Sequence, residues 1–254
     1  MTIETILPIP DIFSAKRILC IQPHYDDNDI GAGGTLARLA AAGAEIHYLT
    51  VTDDVVGVLD RELSDAEARR RLAAEQERAG RELGVRAQAR LDYPDAGEWS
   101  AFALRREVVR QLRRVRPDFV LTVDPWLPYE AHQDHVRTGL AVAEACLLFG
   151  LPRFASGDAS LDAGFEPFRL RGIAFYFSAA PNTFVDIGAT RAHKHRALDA
   201  YTSQFTPEGF AQLHGALSLK ERAWAKGRGF EYGEAFKVLA PGHLHVNLDA
   251  DEMF

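Results

Sequence analysis

Through its first 150 residues the chain alternates short apolar runs with longer stretches rich in alanine, leucine and charge, and few folds accommodate that order. The run RILCIQP, 17–23, ends at a proline and reads as a buried strand; EIHYLTVT (45–52), ARLDY (89–93) and DFVLTVD (118–124) repeat the signal. Between them, 30–42 is helix-like and stops at Gly43, and 64–83 opens with the capping-box pattern Ser64-Asp-Ala-Glu67 and stops at Gly84. Residues 101–115 and 134–148 read as further helices. Such alternation predicts βαβ units: a Rossmann-like α/β fold with a mainly parallel sheet and helices on both faces. Beyond residue 150 the pattern loosens. GIAFYF (172–177) and TFVDI (183–187) read as strands, 188–203 and about 207–226 as helices, and 153–168 as a loop. No repeat, low-complexity tract or linker interrupts the chain, so 1–254 is expected to be one domain; 254 residues at 47% hydrophobic content supply an ample core.

In open α/β sheets, ligands bind beyond the carboxyl ends of the strands. In IQPHYDDNDIGAGG, 21–34, His24, Asp26, Asp27 and Asp29 follow the first strand at that edge. A second polar cluster, HQDH at 132–135, follows the 118–124 strand after the loop DPWLPYEA, so both clusters can meet at one rim. A catalytic zinc takes three protein ligands and keeps an open position for water. His24, Asp27 and His135 would make a His₂Asp set, leaving Asp26 free to act as general base on the water. Adjacent carboxylates after a strand can divide these jobs because neighbouring side chains point different ways. His132 lies three residues before His135 and shares its face if the segment starts a helix, within reach of a substrate carbonyl oxygen or leaving nitrogen. The competing reading is a nucleotide-binding strand–glycine–helix turn without a metal. Against it, Gly31-Ala-Gly33-Gly34-Thr-Leu lacks the last glycine of the dinucleotide fingerprint, and these glycines read as a tight turn with close helix–sheet packing.

A net charge of −7 argues against a nucleic-acid partner and says nothing about a small neutral substrate, which the strand-rim site is expected to take. No apolar run approaches 18 residues, so no membrane span is expected, and the N-terminus lacks the pattern of a secretory signal. Cys20 and Cys146 lie far apart, give no disulfide framework and fit a reducing cytoplasm. His47 reads as structural, and His193, His195 and His214 as helix-surface residues. Trp99 and Trp126 flank the candidate loops, where they either stack on a ligand or pack.

The two motifs resemble those of the LmbE/PIG-L family of zinc-dependent N-acetylglucosamine deacetylases. The family's first motif, Pro/Ala-His-Pro-Asp-Asp-x-Glu, reads here Pro23-His24-Tyr25-Asp26-Asp27-Asn28-Asp29, and its second, His-Pro-Asp-His, reads His132-Gln133-Asp134-His135. GAGGTLARL after the first motif and RALDAYTSQF at 196–205 also match, and the similarity spans about 17–237. Within the family, LTVTDDVVGVLD and the C-terminal histidines most resemble the diacetylchitobiose deacetylases. The resemblance implies that His24, Asp27 and His135 bind Zn²⁺ or another divalent metal, since these ligand types suit several. It implies that Asp26 is the base and that a protonated His132 serves the oxyanion or the leaving amine. Asp29 and Asp134 would support the ligands from behind. It further implies sugar contacts from Asp95 in DYPDAGEW and from an arginine among 69–71, for which Arg71 is the expectation, with His243 or His245 positioning substrate. Relatives form trimers or hexamers, so a homo-oligomer is expected. Tyr25 and Gln133 replace two prolines that donate no functional group, and Asp29 stands for a glutamate of longer reach.

Overall fold

The computed structural model describes residues 8–245. The elements in chain order are β1 (Arg17–Gln22), α1 (Asp27–Ala41), β2 (Glu45–Thr52), α2 (Asp65–Leu83), β3 (Val85–Tyr93), α3 (Ala101–Val115), β4 (Phe119–Val123), α4 (Gln133–Leu148), α5 (Ala159–Ala163), β5 (Gly172–Tyr176), β6 (Thr183–Asp186), α6 (Arg191–Leu198), α7 (Pro207–Ala225) and β7 (Gly233–Leu239). The strands form one sheet in the order β3-β2-β1-β4-β5-β7-β6. The first five are parallel to their neighbours, while β7 runs antiparallel to both β5 and β6, so the sheet is mixed at one edge.

The pleat of β1 shows why helices cover both faces. Leu19 and Ile21 point into a cluster with Val108 and Leu112 of α3 and Val142 of α4; Ile18 and Cys20 point the other way, against Ala32 and Leu36 of α1. A third cluster joins Tyr25, Leu72 of α2, and Leu198 and Tyr201 at the end of α6. Helix ends are fixed locally. Ser64 and Glu67 form the reciprocal cap of α2, and Gly84 ends that helix in the left-handed region.

After β1 the chain builds outward through β2 and β3, then returns to place β4 on the other side of β1. The loops leaving β1 and β4 therefore diverge and leave a crevice between them. The stretch read as a loop contains the short helix α5, and β7 is a strand the sequence reading did not assign. Among the described residues no helix is long and apolar enough to cross a membrane.

Candidate active site

Because five strands are parallel, five loops reach the same rim: His24–Asp27 after β1, Asp53 and Asp54 after β2, Asp95 after β3, the 124–135 segment after β4, and Phe177 after β5. Of the non-glycine residues with left-handed backbone, Asp54 (φ 55°), Ala96 (52°), Tyr129 (67°) and Phe177 (58°) lie in these loops and Asp92 (52°) at the end of β3, while Arg116 (52°) ends α3 away from the rim. Each costs roughly 1–3 kcal/mol, so tertiary contacts must hold the rim in place.

The crevice brings His24, Asp27 and His135 together. His24 Nδ1 lies 3.3 Å from Asp27 Oδ2, and His135 Nε2 lies 3.4 Å from Asp27 Oδ1. The His24 N–H also donates to Asp27 Oδ2 at 2.9 Å, which closes the turn at the start of α1. A tetrahedral ion with ligand bonds of about 2.1 Å requires ligand atoms about 3.4 Å apart. Each histidine stands at about that distance from one Asp27 oxygen, and one ligand atom from each of the three residues lies within 4.8 Å of the others, so the set can close on a divalent metal.

The outward nitrogens of both histidines face carboxylates. His24 Nε2 is 3.3 Å from Asp95 Oδ1 and 3.7 Å from Asp134 Oδ2; His135 Nδ1 is 3.6 Å from Glu130 Oε2. A carboxylate behind a ligating histidine orients its ring and raises its basicity. His24, Asp95, His132 and Asp134 also form a ligand-type cluster of their own. Its acids are already engaged, however. Asp134 accepts from Ala96 N–H (2.8 Å) and Trp99 Nε1–H (3.1 Å), and Asp95 Oδ2 accepts from Val56 N–H (3.0 Å). The first set is the better metal site.

Electrostatics separate the two neighbouring aspartates. Burial pushes the Asp26 carboxyl well above its ordinary range, and the charges of Asp27 and Asp54 push it further. Burial acts the same way on Asp27, but His135 and His24 outweigh it and hold Asp27 below its ordinary value. In His24 the contacts with Asp134, Asp27 and Asp95 overcome burial and raise the imidazole far above its usual value. His132 goes the other way: burial, then the charges of His24 and His135, lower it. His132 caps α4, its Nδ1 accepting the Asp134 N–H at 3.3 Å, which leaves the ring proton on Nε2.

Other expected residues fall elsewhere. Asp29 does not touch the histidines; it is fully buried, with Oδ1 accepting from Tyr48 OH (2.7 Å) and Oδ2 from Tyr201 OH (2.6 Å). Arg71 points away, 56% exposed and 3.9 Å from Asp60. The arginine that reaches the rim is Arg69, whose Nη2 and Nε donate to Asp53 Oδ2 at 2.6 and 3.0 Å, while Asp53 Oδ1 accepts the Asp95 N–H. Asp95 itself lies against His24 rather than projecting from its loop. His243 is buried in a turn, with Nδ1 accepting Ala240 N–H, and His245 is exposed; neither joins the clusters around His24. His195 and His214 are not free surface residues, since their Nδ1 atoms meet at 2.6 Å between α6 and α7. Gly31 and Gly34 serve packing: a Cβ on Gly31 would lie 2.5 Å from the Tyr176 ring, and one on Gly34 would lie 2.8 Å from Ile187.

Sequence reasoning missed Asp53, Asp54 and Glu130, and among the three candidate arginines it preferred Arg71 to Arg69. A signal existed for the first two, since Asp53-Asp54 follows β2 as Asp26-Asp27 follows β1. Asp54 accepts from Tyr25 N–H (3.1 Å) and Gln204 Nε2 (2.9 Å), tying the two loops together.

Comparison with known proteins shows which family and which solved structures the chain is similar to. The PIG-L family model, described as GlcNAc-PI de-N-acetylase, matches residues 19–146. Diacetylchitobiose deacetylase of Thermococcus kodakarensis is 36% identical over 91% of this chain and 86% of its own length. The 1D-myo-inositol 2-acetamido-2-deoxy-alpha-D-glucopyranoside deacetylase of Segniliparus rotundus is 30% identical over 76% of this chain and 78% of its own. Among solved structures, the N,N'-diacetylchitobiose deacetylase of Pyrococcus horikoshii in complex with its inhibitor MPG superposes with a TM-score of 0.87. It is 34% identical, and the match covers 94% of this chain and 89% of that one.

Proposed function

Because this chain belongs to the PIG-L family, we propose that it is a metal-dependent amide hydrolase that removes the acetyl group from an N-acetylglucosamine-type sugar. Zinc is the ion proposed, on the chemistry of a His₂Asp set with one open position. The observation that carries the reading is the set His24, Asp27 and His135 with Asp26 beside it in sequence and space. When bound, a divalent ion there supplies Lewis-acid polarisation of the amide carbonyl and makes a neighbouring water more acidic.

The chain's own residues do the rest. Asp26 removes a proton from the attacking water as its oxygen bonds to the carbonyl carbon. The raised Asp26 pKa suits a base that must later give the proton back. His132 Nε2–H donates to the oxygen on which negative charge develops. Asp26 returns its proton to the nitrogen, the C–N bond breaks, and acetate and a free amine leave. Arg69, held by Asp53, stands where sugar hydroxyls would meet the rim on the Asp95 side.

The test is acetate release by metal-loaded protein from N-acetylglucosamine, diacetylchitobiose and an inositol-linked N-acetylglucosamine, with chelator-treated protein as control. Release from at least one sugar, abolished by chelator and restored by zinc, is the expected result. No release from any of them would sink the reading.

A further inference from the structure

A cavity of about 530 Å³ opens beside His135 and Glu130. Its walls include Ile30, Leu127, Phe177, Leu217 and Trp224. Charged groups also line it, but they are spent on one another. Lys194 Nζ lies 2.8 Å from Glu234 Oε1, the Glu234 carboxylate accepts the N–H groups of Gly34 and Thr35, and Arg191 Nε lies 2.7 Å from Glu221 Oε2. Lys220, at the exposed mouth, folds over the Trp224 ring with Nζ 4.2 Å from its centroid. What remains facing the cavity is mostly hydrocarbon and aromatic ring.

The site therefore has two unlike flanks. On the Nε2 side of His24 lie Asp95, Asp134 and, behind them, Asp53 with Arg69. On the His135 side lies the apolar cavity, with the Phe177 ring stacked on the imidazole at 10° and 6.5 Å. An N-acyl sugar has the same asymmetry about its amide bond. The nitrogen carries a hydroxylated ring, and the carbonyl carbon carries hydrocarbon. If the polar flank takes the sugar, the acyl group enters the cavity. A methyl group is about the size of a water molecule, which takes up roughly 30 Å³ in the liquid. The cavity is far larger than acetyl requires.

We propose that this cavity is an acyl-binding subsite, and that the protein cleaves linear N-acyl chains of at least six carbons from glucosamine-type sugars as well as acetyl. The inference rests on the amide-hydrolase reading above. Each methylene taken out of water strengthens binding by up to roughly fourfold, so a longer chain is held more tightly wherever room exists.

The experiment measures free amine released by zinc-loaded protein from N-acetyl-, N-butanoyl- and N-hexanoylglucosamine and from diacetylchitobiose, as kcat/KM. The hexanoyl value should equal or exceed the acetyl value. Ala179→Trp, on the exposed lip of the cavity, should lower the hexanoyl-to-acetyl ratio at least tenfold. Leu217→Trp, on α7, gives the same reading should the first variant fail to fold. Calorimetric binding of hexanoate and acetate to the same protein supplies a readout without turnover, with hexanoate expected at least tenfold tighter. A hundredfold fall in kcat/KM from acetyl to butanoyl, or equal affinities for the two carboxylates, would overturn the subsite while leaving the deacetylase reading intact. A tryptophan variant that depresses diacetylchitobiose relative to N-acetylglucosamine, with an unchanged acyl-length profile, would overturn it in favour of a second sugar ring. Absence of amine from every substrate would remove both readings together.

Discussion

Asp26 and Asp27 are neighbours, yet their surroundings give them opposite chemistry. Asp27 sits between two imidazoles and is held ionised, while Asp26 is buried among other acids and holds its proton more tightly. Asp27→Ala should lose metal and activity together. Asp26→Asn should keep the metal and lose roughly 10²–10⁴ in rate, the usual span for a general base. Elemental analysis beside kcat decides between them, and metal loss from Asp26→Asn with retention in Asp27→Ala would reverse the two roles. The motif residues were legible because a strand end must be followed by something polar, and a histidine with paired carboxylates narrows that to few chemistries. Their supports were not legible. Arg69, Arg70 and Arg71 point about 100° apart on a helix, and only the fold shows that the first meets Asp53. Asp29 makes a second prediction. Burial raises it from 3.8 to about 7 despite hydrogen bonds from Tyr201 and Tyr48. Tyr201 OH lies 2.6 Å from Asp29 and 2.8 Å from the Tyr25 carbonyl, but it has one hydrogen to give. A protonated Asp29 can donate to Tyr201 and free that hydrogen for Tyr25. Since the folded pKa is the higher one, the unfolded chain ionises first as pH rises, and stability is lost between about pH 4 and 7. Asp29→Asn, neutral throughout, should stabilise metal-free protein by roughly 2–4 kcal/mol at pH 8 and by little near pH 4. Urea unfolding at the two pH values measures this; an equal effect at both would contradict it.

At the scale of elements, α1 is fixed as much by what its glycines lack as by what its other residues bury. A mid-helix glycine normally costs about 1 kcal/mol relative to alanine, so Gly31→Ala would be stabilising on propensity alone. Here the added Cβ would sit 2.5–2.6 Å from ring atoms of Tyr176, a fully buried residue of β5. Overpacking of that kind costs roughly 1–3 kcal/mol and should win. Gly31→Ala is expected to lower the denaturation midpoint, and a rise would show that the ring has room to yield. Helix cover on both faces of the sheet explains which elements could be read in advance. β1, β2 and β4 are apolar on both faces because helices cover both, so their runs stand out in the sequence. GEAFKVL, the seven residues of β7, is equally buried, but Glu234 and Lys237 interrupt its apolar pattern. Glu234 is tolerated there because Lys194 and two N–H groups of α1 receive it. Those partners lie 40 and about 200 residues away in the chain, so no local window could have found the strand.

Across the whole molecule, five parallel strands carry an excess of negative charge to one rim. Asp26, Asp27, Asp54, Asp95 and Asp134 surround His24 there, and in metal-free protein the crowding shows in the acids themselves, with Asp54 lifted by burial to about 7. Such a rim is a stored penalty that a bound cation relieves, because the ion favours the ionised acids that burial and mutual repulsion oppose. A ligand that binds only the folded state adds RT ln(1 + [L]/Kd), about 2.7 kcal/mol at a hundred times Kd. For a chain of this length that is a rise in Tm of roughly 5–10 °C. Chelator-treated protein should therefore melt lower than zinc-loaded protein by about that margin, and added zinc should restore the difference. His135→Ala separates a true site from general screening of the acids. It removes one ligand and no carboxylate, so electrostatic relief by loosely held ions would survive it. Binding to the His₂Asp set would not, because two protein ligands hold zinc weakly. A zinc-dependent shift in Tm that persists undiminished in His135→Ala would take His135 off the ligand set and leave the rim acids alone to account for the effect.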